Sequence, residues 1–429
     1  MKNLKRHGVA VLIIGLLVFI LFSSILSNYF LGDDFKFLNR VSQVGDVNSL
    51  ASFLIRPVAA YDFRPIVNLS FFIDYNIWHL NHFGYHLTNV IFHLGICLLI
   101  YFLATFYFKN YWIAFASALL FAAFPNHHES VSWIAGRTDI ICTFFILLTL
   151  FFWHFFLIRR KKVFYYAFLV SFALALFSKE LAICLFLLIL LVDYCFYRGK
   201  GIRIASFFKN RIKFYIPCLF ILVIYIFFRS VTVKEWSMGT FDPWHQSLQN
   251  VIYSLAFYVG TPLLFITRSI NFSYLKEIVS SVFGSSCFSV SLSLKFIFKS
   301  LFAISGIFLI FLILLQGKKS FNSRNFWSKI LFALAWIYVC ALPVSFVLQF
   351  IGINLMCTRF LYLPGIGFCF LLAFLLFNNL RFRIIKKILF LFLFFSFCLL
   401  FIFNRQPWEE AGKTTRDILS QLKNMHPIF

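Results

Sequence analysis

Long apolar runs alternate along this chain with short polar joints. The runs fall at 8–27, 86–108, 111–124, 138–158, 163–178, 180–197, 212–229, 291–316, 327–349, 360–378 and 384–403. Most approach the roughly 20 residues that a helix needs to cross a hydrocarbon core of about 30 Å. A membrane barrel would instead show segments of about ten residues alternating in polarity. Backbone amides in lipid must be satisfied within their own segment, so continuous runs predict helices. The expected fold is an all-α polytopic membrane protein with about eleven transmembrane helices. The third and fifth runs are short, which predicts little tilt or a start in the interface. The first run follows Lys2, Lys5 and Arg6 and resembles a signal peptide. Its length, the lack of a small-x-small cleavage site and the spans that follow predict an uncleaved first helix.

Composition sharpens this picture. The chain of 429 residues is 62% hydrophobic and only 13% charged, far less charge than a soluble protein of that size carries. A net charge of +24 would suit nucleic acid, but the basic residues cluster in the short joints between runs. The clusters are Arg159–Lys162, the stretch 198–213, Lys318, Lys319 and Arg324, then Arg381, Arg383, Lys386 and Lys387. The positive-inside rule places these joints and the N-terminus in the cytoplasm, so nucleic acid is not an expected partner. The segment 247–267 is apolar enough to span, but counting it would send the 318–324 cluster outside. It reads as a re-entrant or interfacial helix on the outer face, and the C-terminus is then external. Ten Cys include no CxxC pair, and eight lie in apolar runs, which argues against a disulfide framework or a zinc site.

Of the fifteen acidic residues only Asp193 falls on the cytoplasmic side, so chemistry is expected on the outer face. The expected organisation is a transmembrane domain over 1–403, with outer loops at 28–85 and 125–138, and an external helix or tail over 404–429. In the first loop, the apolar stretch 66–77 is interrupted by Asn68, Asp74 and Asn76, which predicts short helices along the membrane surface.

Asp33 and Asp34 follow the first span directly. A carboxylate pair at a membrane exit is costly unless used, and adjacent like charges raise one pKa, which suits a general base. The alternative is a helix cap. The second loop packs His127, His128, Glu129, Arg137 and Asp139 between apolar runs. The His127-x-Glu129 spacing suits an acid/base pair and leaves a divalent metal ion open, while Asp139 equally suits a cap on the fourth span. Lys179-Glu180 reads as a hairpin pair at a helix end. With Arg64 and Arg359, Lys179 and Arg137 form a cationic set suited to a phosphate.

These motifs occur together in an order that resembles a known family. Phe63-Arg64-Pro65, Leu80-Asn81, Gly84-Tyr85-His86, Asn89 and His93 are similar to one stretch of the transmembrane and tetratricopeptide-repeat O-mannosyltransferases and their bacterial relatives. Pro125-Asn126-His127-His128-Glu129 with Trp133 and Gly136-Arg137-Thr138-Asp139 resembles a second. Ser178-Lys179-Glu180 and Arg359-Phe360-Leu361-Tyr362-Leu363-Pro364 resemble two more. The chain departs at Phe124, where the family has His, at Phe186, where it has Pro, and in lacking the repeats.

The resemblance implies a GT-C glycosyltransferase fold in a bacterial inner or plasma membrane, with its site facing the periplasm or exterior. It implies a polyprenyl-phosphate-linked sugar as donor, and a glycan, lipid or protein hydroxyl as acceptor. Asp34, with Asp33 in support, then stands at the catalytic position. Arg64, Arg137, Lys179 and Arg359 stand as phosphate ligands; His127, Glu129, Asp139, Glu180 and Tyr362 complete the substrate-binding set. The rivals are a transporter or flippase, and a polysaccharide polymerase or ligase. A transporter would place charges at the midplane and show repeated halves, neither of which is visible. A polymerase needs no carboxylate pair at 33–34.

Overall fold

The computed structural model describes residues 2–57, 62–197, 204–233, 312, 324–351, 358–378 and 383–425. Every regular element among them is helical. The principal helices are α1 (Lys2–Phe22), α2 (Asp34–Val41), α3 (Val47–Ile55), α4 (Pro65–Trp78), α5 (His82–Phe108), α6 (Tyr111–Ala122), α7 (His128–Ser132), α8 (Arg137–Arg159), α9 (Lys162–Leu176), α10 (Leu185–Val192), α11 (Ile204–Lys209), α12 (Ile212–Thr232), α13 (Arg324–Ile351), α14 (Tyr362–Phe377) and α15 (Arg383–Met425). Eight helical stretches are long and apolar enough to cross a membrane, and α6 and α9 are shorter apolar helices. These correspond to ten of the eleven expected spans, and the chain is an all-α polytopic membrane protein. Apart from Leu312, the eleventh, 291–316, lies outside the described residues. So do 247–267, Lys318, Lys319, Arg381 and residues 198–203.

The short third span has a packing explanation. Twelve helical residues rise only about 18 Å, less than a hydrocarbon core. In α6 nearly every residue from Ile113 to Ala122 is buried in protein, against α5 and α14. A helix sheathed by its neighbours has no need to match bilayer thickness. Ala114, Ala116, Ala118 and Ala122 let those neighbours approach closely, as small residues do in membrane bundles. The helix starts where the Asn110 side chain accepts from the Trp112 and Ile113 N–H groups. Almost all of α14 is buried too. Its Gly367 lies where a Cβ would come within 2.7 Å of the Ala333 carbonyl, which sets the close crossing of α13 and α14.

The first loop does form short helices, α2 to α4, closed over a small core of their own. Phe37 stacks on Phe71 with ring centroids 4.1 Å apart, beside Val67, Tyr85 and Ile134. Asp46 and Ser49 form a capping box that starts α3.

The last span and the expected tail form one continuous helix, α15, of 43 residues, or about 65 Å. Beyond residue 403 it is tied to the end of the bundle that carries the two loops. Asn28 donates to the Trp408 carbonyl at 3.0 Å, Ser24 to Glu409 at 2.6 Å, and Arg416 to the Ser27 carbonyl at 2.9 Å. At the opposite end, buried Asp193 accepts from Trp153 at 3.0 Å, from Arg211 at 2.8 Å and from Tyr215. Asp193 is therefore a packing knot. The eight Cys of the described spans are all free, and six are buried.

Candidate active site

The candidate residues converge on the first turn of α8, which sends two charged side chains in different directions. Arg137 is fully buried and reaches the first loop. Its Nη1 pairs with Asp74 at 2.7 Å, Nη2 donates to the Tyr85 carbonyl at 3.0 Å, and Nε donates to the Ile134 carbonyl at 3.3 Å. The guanidinium also lies over the Phe71 ring, 4.2 Å from its centroid. Thr88 donates to the other Asp74 oxygen at 2.8 Å. With its hydrogen-bonding directions engaged, Arg137 holds the two loops together and offers little to a phosphate. Asp139 turns the other way and accepts from Lys179 Nζ at 2.6 Å. It does not cap α8, whose first turn follows Gly136 with no side-chain cap. At Gly136 a Cβ would lie 2.7 Å from the carbonyl oxygens of both Glu129 and Ser130, so only glycine fits this fold of the second loop.

Asp33 and Asp34 have separate environments. Asp33 is half-exposed and pairs with Lys36 at 2.6 Å. Asp34 is buried at the joint of the two loops. One carboxylate oxygen accepts from the Leu31 N–H and the other from the Ala135 N–H, both at 2.8 Å. Trp133 Nε1 donates to the Leu31 carbonyl at 3.2 Å and closes the same joint. The Leu31 contact runs backward along the chain, so Asp34 is not an N-cap, and Asp33, at the cap position, makes no cap hydrogen bond. Burial pushes the Asp34 carboxyl up to about 7, against the two backbone N–H groups and Arg137, which favour its charge. The neighbouring Asp33 adds the least. The raised pKa that the paired carboxylates predict thus falls on Asp34, but Asp33 is its minor cause; desolvation dominates.

A second cluster gathers the other cations. Arg64 grips Glu180 through Nη2 at 2.8 Å and Nε at 3.3 Å, and meets Asp62 at 3.1 Å. Arg229, at the end of α12, approaches Glu180 at 3.8 Å. Burial opposes the Arg64 charge, but Glu180 and Asp62 outweigh it and hold the proton more tightly than usual. Burial lifts the Asp62 carboxyl above its ordinary range, with Arg64 pulling it down. Lys179 and Glu180, read as a hairpin pair, do not pair with each other. The extended Lys179 backbone sends the two side chains to Asp139 and Arg64 respectively. The Ile66 N–H donates to the Phe177 carbonyl at 3.2 Å, which brings Arg64 to this hairpin.

A third group joins the second loop to the start of α14. Glu129 accepts from the Arg359 N–H and from Thr358 Oγ1, both at 2.9 Å, and its other oxygen lies 3.7 Å from Arg359 Nε. The Arg359 guanidinium, about a third exposed, sits over the Trp133 ring. His127 points away from Glu129 into an aromatic nest, with ring centroids 4.2 Å from Phe121 and 4.5 Å from Tyr362. Neither His127 ring nitrogen makes a well-formed hydrogen bond, and burial pushes its pKa well below the usual value. Tyr362 bonds His93 Nδ1 at 2.6 Å. The His-x-Glu spacing therefore does not converge on one metal, and no group of three His, Cys, Asp or Glu able to hold one occurs among the described residues.

Asp62, Asp74, Tyr85 and Arg229 were not singled out from sequence as site residues. Asp74 and Arg229 were visible only as ionisable groups in apolar stretches, a signal that an intramembrane charge needs a partner.

Residues 65–231 match the family model described as dolichyl-phosphate-mannose-protein mannosyltransferase. A protein O-mannosyl-transferase of Caenorhabditis elegans is 25% identical over 317 residues, covering 72% of this chain and 42% of the relative. Protein O-mannosyl-transferases of Mus musculus and Homo sapiens are 41% and 39% identical over 87 residues, 20% of this chain and about a tenth of each relative. The chain thus matches less than half the length of these relatives. By that match and these relatives, the motif resemblance holds: residues 65–231 match the dolichyl-phosphate-mannose-protein mannosyltransferase family model, and the chain is similar to protein O-mannosyl-transferases.

Proposed function

We propose that the chain is a membrane glycosyltransferase that moves a sugar from a polyprenyl-phosphate donor to a hydroxyl acceptor on the non-cytoplasmic face. The observation that carries the reading is Asp34. It is a buried carboxyl, poised at about 7, at the joint of the two loops that hold the family motifs. A base for an acceptor hydroxyl works best with a pKa near the working pH. A lipid phosphate is already a good leaving group, so no strong acid is required. What the leaving phosphate needs is cationic stabilisation as charge develops. Arg64, Lys179, Arg229 and Arg359 are the candidates. All four already face carboxylates, so the phosphate would exchange with or share Glu180, Asp139 and Glu129. His127 and Tyr362 would meet the sugar or the acceptor. Arg137 is a positioning residue. A protein acceptor and mannose as the sugar are the readings that the relatives' names favour.

The test is transfer of label from polyprenyl-phosphate-[14C]mannose to protein, glycan or lipid acceptors by purified chain in liposomes. Transfer that vanishes in Asp34→Asn supports the reading. Wild-type chain that translocates labelled lipid without transferring sugar would instead make it a flippase.

A further inference from the structure

The bundle has a cleft at the end remote from Asp34. It holds about 480 Å³ and lies where α1, α6, the end of α14 and the start of α15 diverge. Its walls are apolar, among them Ile13, Trp112, Phe115, Phe377, Leu391 and Phe395, and among the described residues Lys387 is its one charged lining residue. Arg6 stands at the same end, its guanidinium 3.7 Å from the Tyr111 ring centroid and 5.4 Å from that of Trp112. The cleft is open because α15 leans on the bundle sparingly. Ile388, Leu391, Phe392, Phe395 and Leu399 are all half or more exposed.

The shape and charge of the cleft specify its occupant. From Lys387 to Phe395 the helix rises about 12 Å, close to the depth of one hydrocarbon leaflet, about 15 Å. An apolar trough of that depth with two cations at its mouth fits a lipid of a single leaflet with an anionic head. We propose that it binds one anionic phospholipid, with its phosphate at Lys387 and Arg6 and one acyl chain along Trp112, Phe115 and Leu391. The chain fills the gap between α15 and the bundle. It thereby steadies the helix whose continuation is tied to the candidate site through Trp408, Glu409 and Arg416. This binding stands apart from the transferase reading.

The full chain is extracted into mild detergent with phosphatidylcholine, phosphatidylglycerol or polyprenyl phosphate, and retained lipid is counted by native mass spectrometry. We expect one phosphatidylglycerol per chain, held well above phosphatidylcholine. A basic residue near a membrane surface contributes about 1 kcal/mol toward anionic lipid, so Arg6→Ala and Lys387→Ala should each lower retention about fivefold. Leu391→Trp, which narrows the trough without touching charge, should lower retention of both phospholipids while leaving the helical circular dichroism intact. Equal retention of the two phospholipids by wild type, or no change in Arg6→Ala and Lys387→Ala, overturns the proposal. Displacement of phosphatidylglycerol by equimolar polyprenyl phosphate overturns it too and assigns the cleft to a polyprenyl lipid.

Discussion

Replacing Asp34 by Asn separates the chemical from the structural role of this carboxyl. Both Asp34 oxygens accept backbone N–H bonds, from Leu31 and Ala135. Asn keeps one acceptor and turns an amide NH2 toward the other N–H, so one buried donor loses its partner. That costs about 1–3 kcal/mol of stability. Some of this loss is returned, because burial makes the wild-type carboxylate itself costly. The sign follows from its pKa, about 7 in the fold against 3.8 for the free side chain. The fold prefers the protonated form, so the Asp34 contribution is fullest below pH 4 and declines as pH rises from there through about 7. The whole span corresponds to roughly 4 kcal/mol, at 1.36 kcal/mol per pH unit. Asp34→Asn removes this slope. Its melting temperature in detergent should therefore vary less with pH between 4 and 7 than that of wild type.

The chemical effect should be larger. Loss of a positioned base lowers turnover by about 10²–10⁴-fold. Wild-type kcat/KM should climb through pH 7 and level off above it as Asp34 ionises, and the residual activity of Asp34→Asn should lack that limb. Asp33→Asn, which changes a half-exposed residue paired with Lys36, should keep both rate and limb. Turnover of labelled polyprenyl-phosphate sugar in liposomes, at several pH values and with melting curves in parallel, measures all of this. Wild-type turnover by a folded Asp34→Asn, or an unchanged limb in it, would refute the base assignment.

Arg137→Ala strands Asp74 without its charge partner in a buried site and should cost about 3–5 kcal/mol in thermal or denaturant unfolding. Arg137→Ala with Asp74→Asn should recover part of that; no recovery would mean that the pair does not carry the effect. Arg64→Ala should raise KM for the donor, because it removes a charge-assisted contact of about 1.5–3 kcal/mol from the phosphate, and should also lower stability, because Glu180 and Asp62 lose that partner. Unchanged donor affinity would place the phosphate elsewhere. Gly136→Ala drives a methyl against two carbonyl oxygens and should destabilise by about 1–3 kcal/mol, read as a lowered melting temperature with activity lost in step. Cysteines introduced at 161 and 415 should label from opposite sides of the membrane, the second from the outside; labelling from one side would overturn the topology.

The apolar runs alone determined that this chain spans a membrane as helices. Backbone groups in lipid have no other way to be satisfied, and run length is a local property. The motifs of the resemblance were likewise legible in one dimension, and the fold gathers them at one end of the bundle. Which charge meets which was not legible. Lys179 and Glu180 are neighbours in sequence but bond Asp139 and Arg64, because an extended residue between helices sends successive side chains apart. Arg137 read as a phosphate ligand, yet three first-loop partners and the Ile134 carbonyl occupy it, and Asp74 and Tyr85 come from helices 52 to 63 residues away. The position of α15 over the site was also invisible, since hydropathy marks where a span stops but not where its helix ends. Asp34 shows the division most clearly. Sequence picked it out by its charged neighbour, while its pKa is set by desolvation, a property of surrounding atoms that only the folded chain brings together.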